Sequence, residues 1–191
     1  MNPDTRFAAA AGIETDRGIL VDREFSTSRK GVYAIGDCAQ FRDPLPDGRT
    51  IEQLWYSGRR HGQFLAHNLT GRRLAYDPGI YFNSAKFFEL EYQVYGRVDA
   101  GVGAGSAVGQ DSVVLADDHR NRMVRIQYDA ASRAVAGVNS VGVRLRHETW
   151  DSWIREGLDV HHALARFKES LFDPEFFRGL RIPELDTGGM A

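Results

Sequence analysis

Gly36-Asp37, which follows the apolar run Val32-Tyr33-Ala34-Ile35, is the pair in this chain best suited to hold a ligand. Glycine lets a ligand come close to the backbone, and a carboxylate just past it accepts hydrogen bonds from hydroxyl groups. The run reads as a buried parallel strand ending at Gly36-Asp37, and ligands of α/β sheets sit outside the carboxyl ends of strands. A second candidate follows a loop-like stretch rich in Pro, Asp and Gly. Thr50, with Gln53 three residues on, makes a capping-box pattern. That places Ile51, Glu52 and Gln53 at a helix N-terminus, whose free N–H groups favour negative charge. For Asp37 the simpler alternative is a turn-forming aspartate, and for Glu52 and Gln53 a pair of helix-capping residues.

Other chemically capable residues point elsewhere. Cys38 is the one cysteine, so it forms no internal disulfide, CxxC pair or cysteine zinc site; without a base or resolving thiol it reads as a small buried residue. His147-Glu148 are adjacent on an expected helix and do not face each other. His161-His162 lack metal-ligand spacing and read as surface residues, so no metal site is expected. The run Gly101-Val102-Gly103-Ala104-Gly105 misses the dinucleotide fingerprint, because Ser106 stands where the third glycine belongs and a strand follows. It reads as a loop.

The positioning elements follow from periodicity. Residues 5–11 have helix composition, with Gly12 placed to end it, and Gly18–Asp22 contain a short strand signal. Small or apolar residues at Ile51, Leu54, Trp55, Gly58, Gly62, Leu65, Ala66 and Leu69 form a helical stripe. Gly58 and Gly62 each cost about 1 kcal/mol of helix propensity, which suggests that something approaches the helix closely. The clusters Arg59-Arg60-His61 and Arg72-Arg73 read as solvated helix faces and ends.

Past Tyr76-Asp77-Pro78-Gly79 the period changes to two. Phe88, Leu90, Tyr92 and Val94 alternate with polar neighbours, the pattern of an antiparallel strand with one wet face. Residues 112–116 and 123–128 read as a hairpin, and 134–143 as a further strand. Trp150, Trp153 and Ile154 mark a helix ended by Gly157, and Asp159 caps a last helix carrying Leu164 and Phe167. The tail from Pro183 is expected to fray. The fold class is therefore α+β: a partial α/β segment, residues 1–77, then an antiparallel sheet with C-terminal helices, residues 78–191.

Lys and Arg number 24 against 26 Asp and Glu, a net charge of -2. That balance favours neither nucleic acid nor an anionic membrane as partner. The lone thiol and the lack of a long apolar run suggest a reducing, cytoplasmic setting.

The run from Thr27 to Asp37, with Gly12-Ile13-Glu14, Gly18–Asp22 and Cys38-Ala39 around it, resembles the second FAD-binding motif of the pyridine nucleotide–disulfide oxidoreductase superfamily. The resemblance covers residues 3–73 closely and the rest loosely. It implies that Asp37, beside Gly36, binds the ribityl chain of FAD, and that Ile51, Glu52 and Gln53 meet the flavin. It implies an antiparallel interface domain after Pro78. No His-Pro pair stands near the C-terminus, so the ferredoxin, rubredoxin and nitrite reductase group is the better match than the disulfide reductases. Ser84-Ala85-Lys86 stands where that group carries a Trp-Ser-Asp-like stretch, so no electron acceptor carries over.

The family's Gly-x-Gly-x-x-Gly fingerprints are expected upstream of these residues. The expected function is the flavin-site and interface portion of an NAD(P)H oxidoreductase passing electrons through FAD to an acceptor. Its partner would be a second copy, forming a homodimer, or a complementary N-terminal flavoprotein segment. The alternative is a non-catalytic dimerisation or interaction module derived from such an enzyme.

Overall fold

The structure, a computed structural model, describes residues 3–46, 48–99, 109–117 and 121–173. Two compact units divide the chain, Met1–Gly79 and Ile80–Ala191. The glycine run at 101–108 and the tail from Pro183 lie outside the described residues.

The first unit begins with helix α1, Arg6–Ala10, after which Gly12 turns the chain at φ 71°. Strand β1, Ile19–Val21, pairs in parallel with β2, Ala39–Phe41. Helix α2 spans Trp55–Leu69. Six ladder residues are a small sheet, so side-chain packing must hold the unit. Phe25, Phe41 and Tyr76 supply it, with Phe41 stacked on Tyr76 at 5.6 Å between ring centroids and Phe25 tilted against both.

Two expectations fail here. Residues 32–35 are not a buried parallel strand. They form the return arm of a tight antiparallel hairpin, in which Thr27 N–H donates to the Val32 carbonyl and Ala34 N–H to that of Phe25. Val32 and Tyr33 are exposed. An apolar run specifies burial only if a neighbour strand lies on each side, and none does among the described residues. Gly36–Cys38 is instead a 3₁₀ turn that leads into β2, so Gly36-Asp37 precedes a strand rather than ending one.

The helix also does not open at Thr50. Residues 50–54 are not helical: the Thr50 carbonyl accepts from Phe41 N–H and Ile51 bridges to Gln40. Leu54 is the N-cap of α2 with φ -129°, and no side chain caps it. The short β2 edge competes for this segment's backbone groups and wins over the capping box.

The second unit is a five-stranded antiparallel sheet of order β3-β4-β7-β6-β5: β3 Phe82–Phe87, β4 Leu90–Gly96, β5 Gln110–Asp117, β6 Arg122–Asp129 and β7 Val135–Val141. Helix α3, His147–Glu156, ends at Gly157 in the left-handed conformation, φ 61°. Asp159 caps α4, Val160–Ala165, its carboxylate accepting from His161 N–H at 2.8 Å. Trp150 and Trp153 pack edge to face at 5.1 Å in a core with Leu115, Val124, Ile126 and Val138.

Strand β6 is buried on both faces. Arg125 and Gln127 lie opposite its apolar residues, and both bind Asp99: Gln127 Nε2 donates to Oδ2 at 2.9 Å and Arg125 to the carbonyl at 3.0 Å. The expected alternation from Phe88 is corrected too. Strand β3 precedes it, and Phe88 sits at the tip of the β3–β4 hairpin with φ 54°, 99% exposed. Val94 and Tyr95 are both buried, so β4 lacks a continuous wet face. Among the described residues no helix is long and apolar enough to cross a membrane.

Candidate functional site

The 3₁₀ turn Gly36–Cys38 and helix α2 meet in the first unit, and the contact is backbone-close. A Cβ built on Gly58 would lie 3.7 Å from the Gly36 Cα, and one on Gly62 4.0 Å from the Ile35 side chain. The neighbour expected at these glycines is therefore the Gly36 turn, at ordinary van der Waals range. Gly36 has φ 72°, a conformation L side chains rarely adopt, and open space where a Cβ would stand.

Asp37 is exposed, and its carbonyl accepts from Gln53 Nε2 at 3.3 Å. Gln53 thus lies beside Asp37, joined by one hydrogen bond. Ile51 is half-buried against Gln40. Cys38 is half-buried, with Sγ 3.5 Å from the Ile35 carbonyl.

Glu52 goes elsewhere. It is 3% exposed, held inside the unit by three partners. Tyr76 OH donates to Oε2 at 2.8 Å, His61 Nε2 lies 3.2 Å from the same oxygen, and Arg49 pairs with Oε1 at 3.2 Å. Burial raises its pKa, but the hydrogen bonds from His61 and Tyr76 and the charge of Arg49 outweigh it, and the carboxyl is held below its ordinary range. Burial pushes the Tyr76 hydroxyl up, and the adjacent Glu52 carboxylate pushes it further. The side chain of Glu52 is committed to this network, so only its backbone is left to meet a ligand.

His61 is the residue that sequence reasoning missed. Placed in a basic cluster, it was expected on a solvated face; it is 0% exposed. Its ring sits edge-on to Tyr76 at 4.7 Å and 4.9 Å from Phe25. Gly36 N–H donates to its Nδ1 at 3.1 Å. The neighbours in its cluster are also engaged: Arg59 lies over the Trp55 ring, and Arg60 donates to the carbonyls of Asp77 and Pro78. The buried face of α2 is Ser57 and His61 with Phe64 and Leu65 beside it, while Trp55, Ala66 and Leu69 of the expected stripe are exposed. No hydropathy signal marked it: Ser57 and His61 share a helix face with Phe64, but both are polar.

Chemically, the turn offers an exposed carboxylate next to an open, left-handed glycine. That acceptor could take hydrogen bonds from the hydroxyls of a polyhydroxylated ligand whose chain passes over Gly36. The N-cap of α2, Leu54, makes no side-chain capping hydrogen bond.

In the second unit His147 packs between Phe82 and Tyr95, at 4.8 and 5.3 Å. His161 is half-buried and His162 exposed. Among the described residues no group of three His, Cys, Asp or Glu could hold a metal ion.

Residues 1–62 match the family described as pyridine nucleotide-disulphide oxidoreductase. Rubredoxin-NAD(+) reductase of Ectopseudomonas oleovorans is 32% identical over 69 residues, which are 36% of this chain and 18% of that protein. The NAD-dependent persulfide reductase of A. fulgidus matches in structure with a TM-score of 0.69 at 20% identity, over 86% of this chain and 32% of that one. A FAD-dependent pyridine nucleotide-disulphide oxidoreductase from Desulfovibrio vulgaris matches with a TM-score of 0.57 at 25% identity, over 73% of this chain and 35% of that one. The chain thus spans a fifth to a third of the length of the proteins it matches. Residues 1–62 are thus similar in sequence to the pyridine nucleotide-disulphide oxidoreductase family, and most of the chain shares its fold with the solved structures it matches.

Proposed function

We propose that residues 1–77 are part of an FAD site and residues 78–191 an interface domain, together serving an oxidoreductase that moves electrons from NAD(P)H through FAD to an acceptor. The observation that carries this reading is the Gly36–Asp37 turn, with Gly36 open at φ 72° and Asp37 exposed in the segment that matches the family. Asp37 would accept hydrogen bonds from ribityl hydroxyls. The backbone of Ile51, Glu52 and Gln53, and the first turn of α2, would face the flavin with N–H groups that favour negative charge. FAD supplies the redox chemistry; this chain's residues supply position and electrostatics. A flavoprotein segment carrying a dinucleotide fingerprint would complement these residues, and a reducing, cytoplasmic setting suits the lone thiol.

The test is equilibrium titration of the chain with FAD, followed by flavin fluorescence, alongside Asp37→Ala. Loss of the carboxylate is expected to weaken binding about tenfold or more, the value of a hydrogen bond to a charged group. Unchanged affinity would remove Asp37 from the site.

A second reading, a non-catalytic module that pairs copies of the chain into a homodimer, draws on the β3–β4 hairpin. There Phe87, Phe88 and Leu90 are 62, 99 and 42% exposed. Such clustered apolar exposure marks interaction surfaces. The same titration separates the two: a chain that self-associates at micromolar concentration yet binds no FAD supports the module.

A further inference from the structure

The buried network behind the turn has one direction of donation. Glu52 is held as a carboxylate, and Tyr76 OH already donates to Oε2, so that oxygen offers only lone pairs to His61 Nε2. Nε2 must therefore carry the ring proton. At the other end Gly36 N–H donates to Nδ1, which requires a bare nitrogen there. Both ends select the same neutral tautomer, and the ring has no slack to choose another, enclosed as it is by Phe25, Phe41 and Tyr76. The group it holds is the amide of Gly36, the residue before Asp37.

We propose that His61 is the positioning residue of the flavin-binding turn: its Nε2–H tautomer, fixed by Glu52, leaves Nδ1 to clamp the Gly36 N–H and so sets where Asp37 is presented. This rests on the FAD reading above, and deepens it. The chain Tyr76–Glu52–His61–Gly36 runs from the unit's aromatic core to its ligand-facing turn. A bare peptide turn at positive φ has little of its own to hold it, and one charge-oriented imidazole supplies the missing restraint. His61 touches no ligand; it acts through Gly36.

The first measurement needs no variant. Long-range ¹H–¹⁵N spectra of the chain should show Nε2 protonated and Nδ1 bare, with a coupling across the hydrogen bond to the Gly36 amide. A protonated Nδ1 overturns the proposal. The second compares two substitutions. In His61→Asn the side-chain oxygen stands near the place of Nδ1 and can still accept from Gly36; in His61→Gln the amide reaches toward the place of Nε2 and the Gly36 acceptor is lost. Both are titrated with FAD, and amide exchange at Gly36 is followed without ligand. Asparagine should keep FAD affinity within about threefold of wild type and keep Gly36 protected; glutamine should lose about tenfold in affinity and that protection. Equal FAD affinity in wild type and both variants overturns the clamp while leaving the flavin site intact. If wild type itself binds no FAD, the flavin reading falls. Gly36 exchange then decides the clamp alone: protection lost only in glutamine supports it, and protection equal in both overturns it.

Discussion

The two units hold themselves together by different means. The second has a five-stranded sheet with continuous registers and an apolar core around Trp150. The first has two strands of three residues each, and at its centre lie a buried histidine, a buried glutamate and a tyrosine bonded in series. An apolar core tolerates changes of pH and needs only volume and pattern. A polar core fixes one arrangement of donors and acceptors, at the cost of depending on every partner. The unit with this polar network inside its apolar cluster is also the one with the proposed flavin-binding turn. Its network ends on that turn's own backbone.

The largest effect that would sharpen this contrast is expected in the second unit. Trp150→Ala removes a fully buried indole and should cost about 3–5 kcal/mol, seen as a lower denaturant midpoint for signals from that unit. Equal loss of stability in both units would show that they unfold as one.

Glu52→Gln comes next. It leaves the buried His61 and Tyr76 donors without a charged acceptor and should destabilise the first unit by about 1–3 kcal/mol. The pH dependence follows from the same carboxylate. Because its folded pKa lies below the unfolded one, it contributes stability above the ordinary carboxylate range, and loses it as pH falls through the depressed value. Acid unfolding of the first unit should flatten in Glu52→Gln. An unchanged pH profile would break the assignment of the network as that unit's centre.

The smallest effect has the opposite sign. Gly58 lies in α2 with room for a Cβ, so Gly58→Ala should stabilise the first unit by about 0.5–1 kcal/mol through helix propensity, read as a higher midpoint. Destabilisation would mean that the Gly36 Cα lies closer to the added Cβ than 3.7 Å.

The same contrast explains what the sequence made legible. In the second unit, Gly157 and Asp159 terminate and cap helices where their residue types say they should, and the hairpin of β5 and β6 follows its period-two pattern. Propensity, period and packing agree there. Strand β3 escaped notice because Phe82–Phe87 mixes polar and apolar residues on an edge. In the first unit the cues conflict. Val32–Ile35 has strand composition, but among the described residues it pairs only with the short arm at 25–27. Thr50 and Gln53 match a capping box, yet β2 claims the backbone between them.

The buried face of α2 contains Ser57 and His61, which any hydropathy pattern assigns to solvent. Polar residues inside a core are legible only once their partners are known, and Glu52, Tyr76 and Gly36 lie 9, 15 and 25 positions away from His61 in the chain. Of the candidate site, Gly36, Asp37 and Gln53 do lie together, joined at the Asp37 carbonyl. Glu52 belongs behind the turn rather than in front of it.

Amide hydrogen exchange across the whole chain, with and without FAD, tests the central claim most directly. Added protection is expected at the Gly36–Cys38 turn and across residues 50–57, with β5 to β7 unchanged. Protection confined to the second unit, or none at the turn under conditions where FAD is bound, would contradict it.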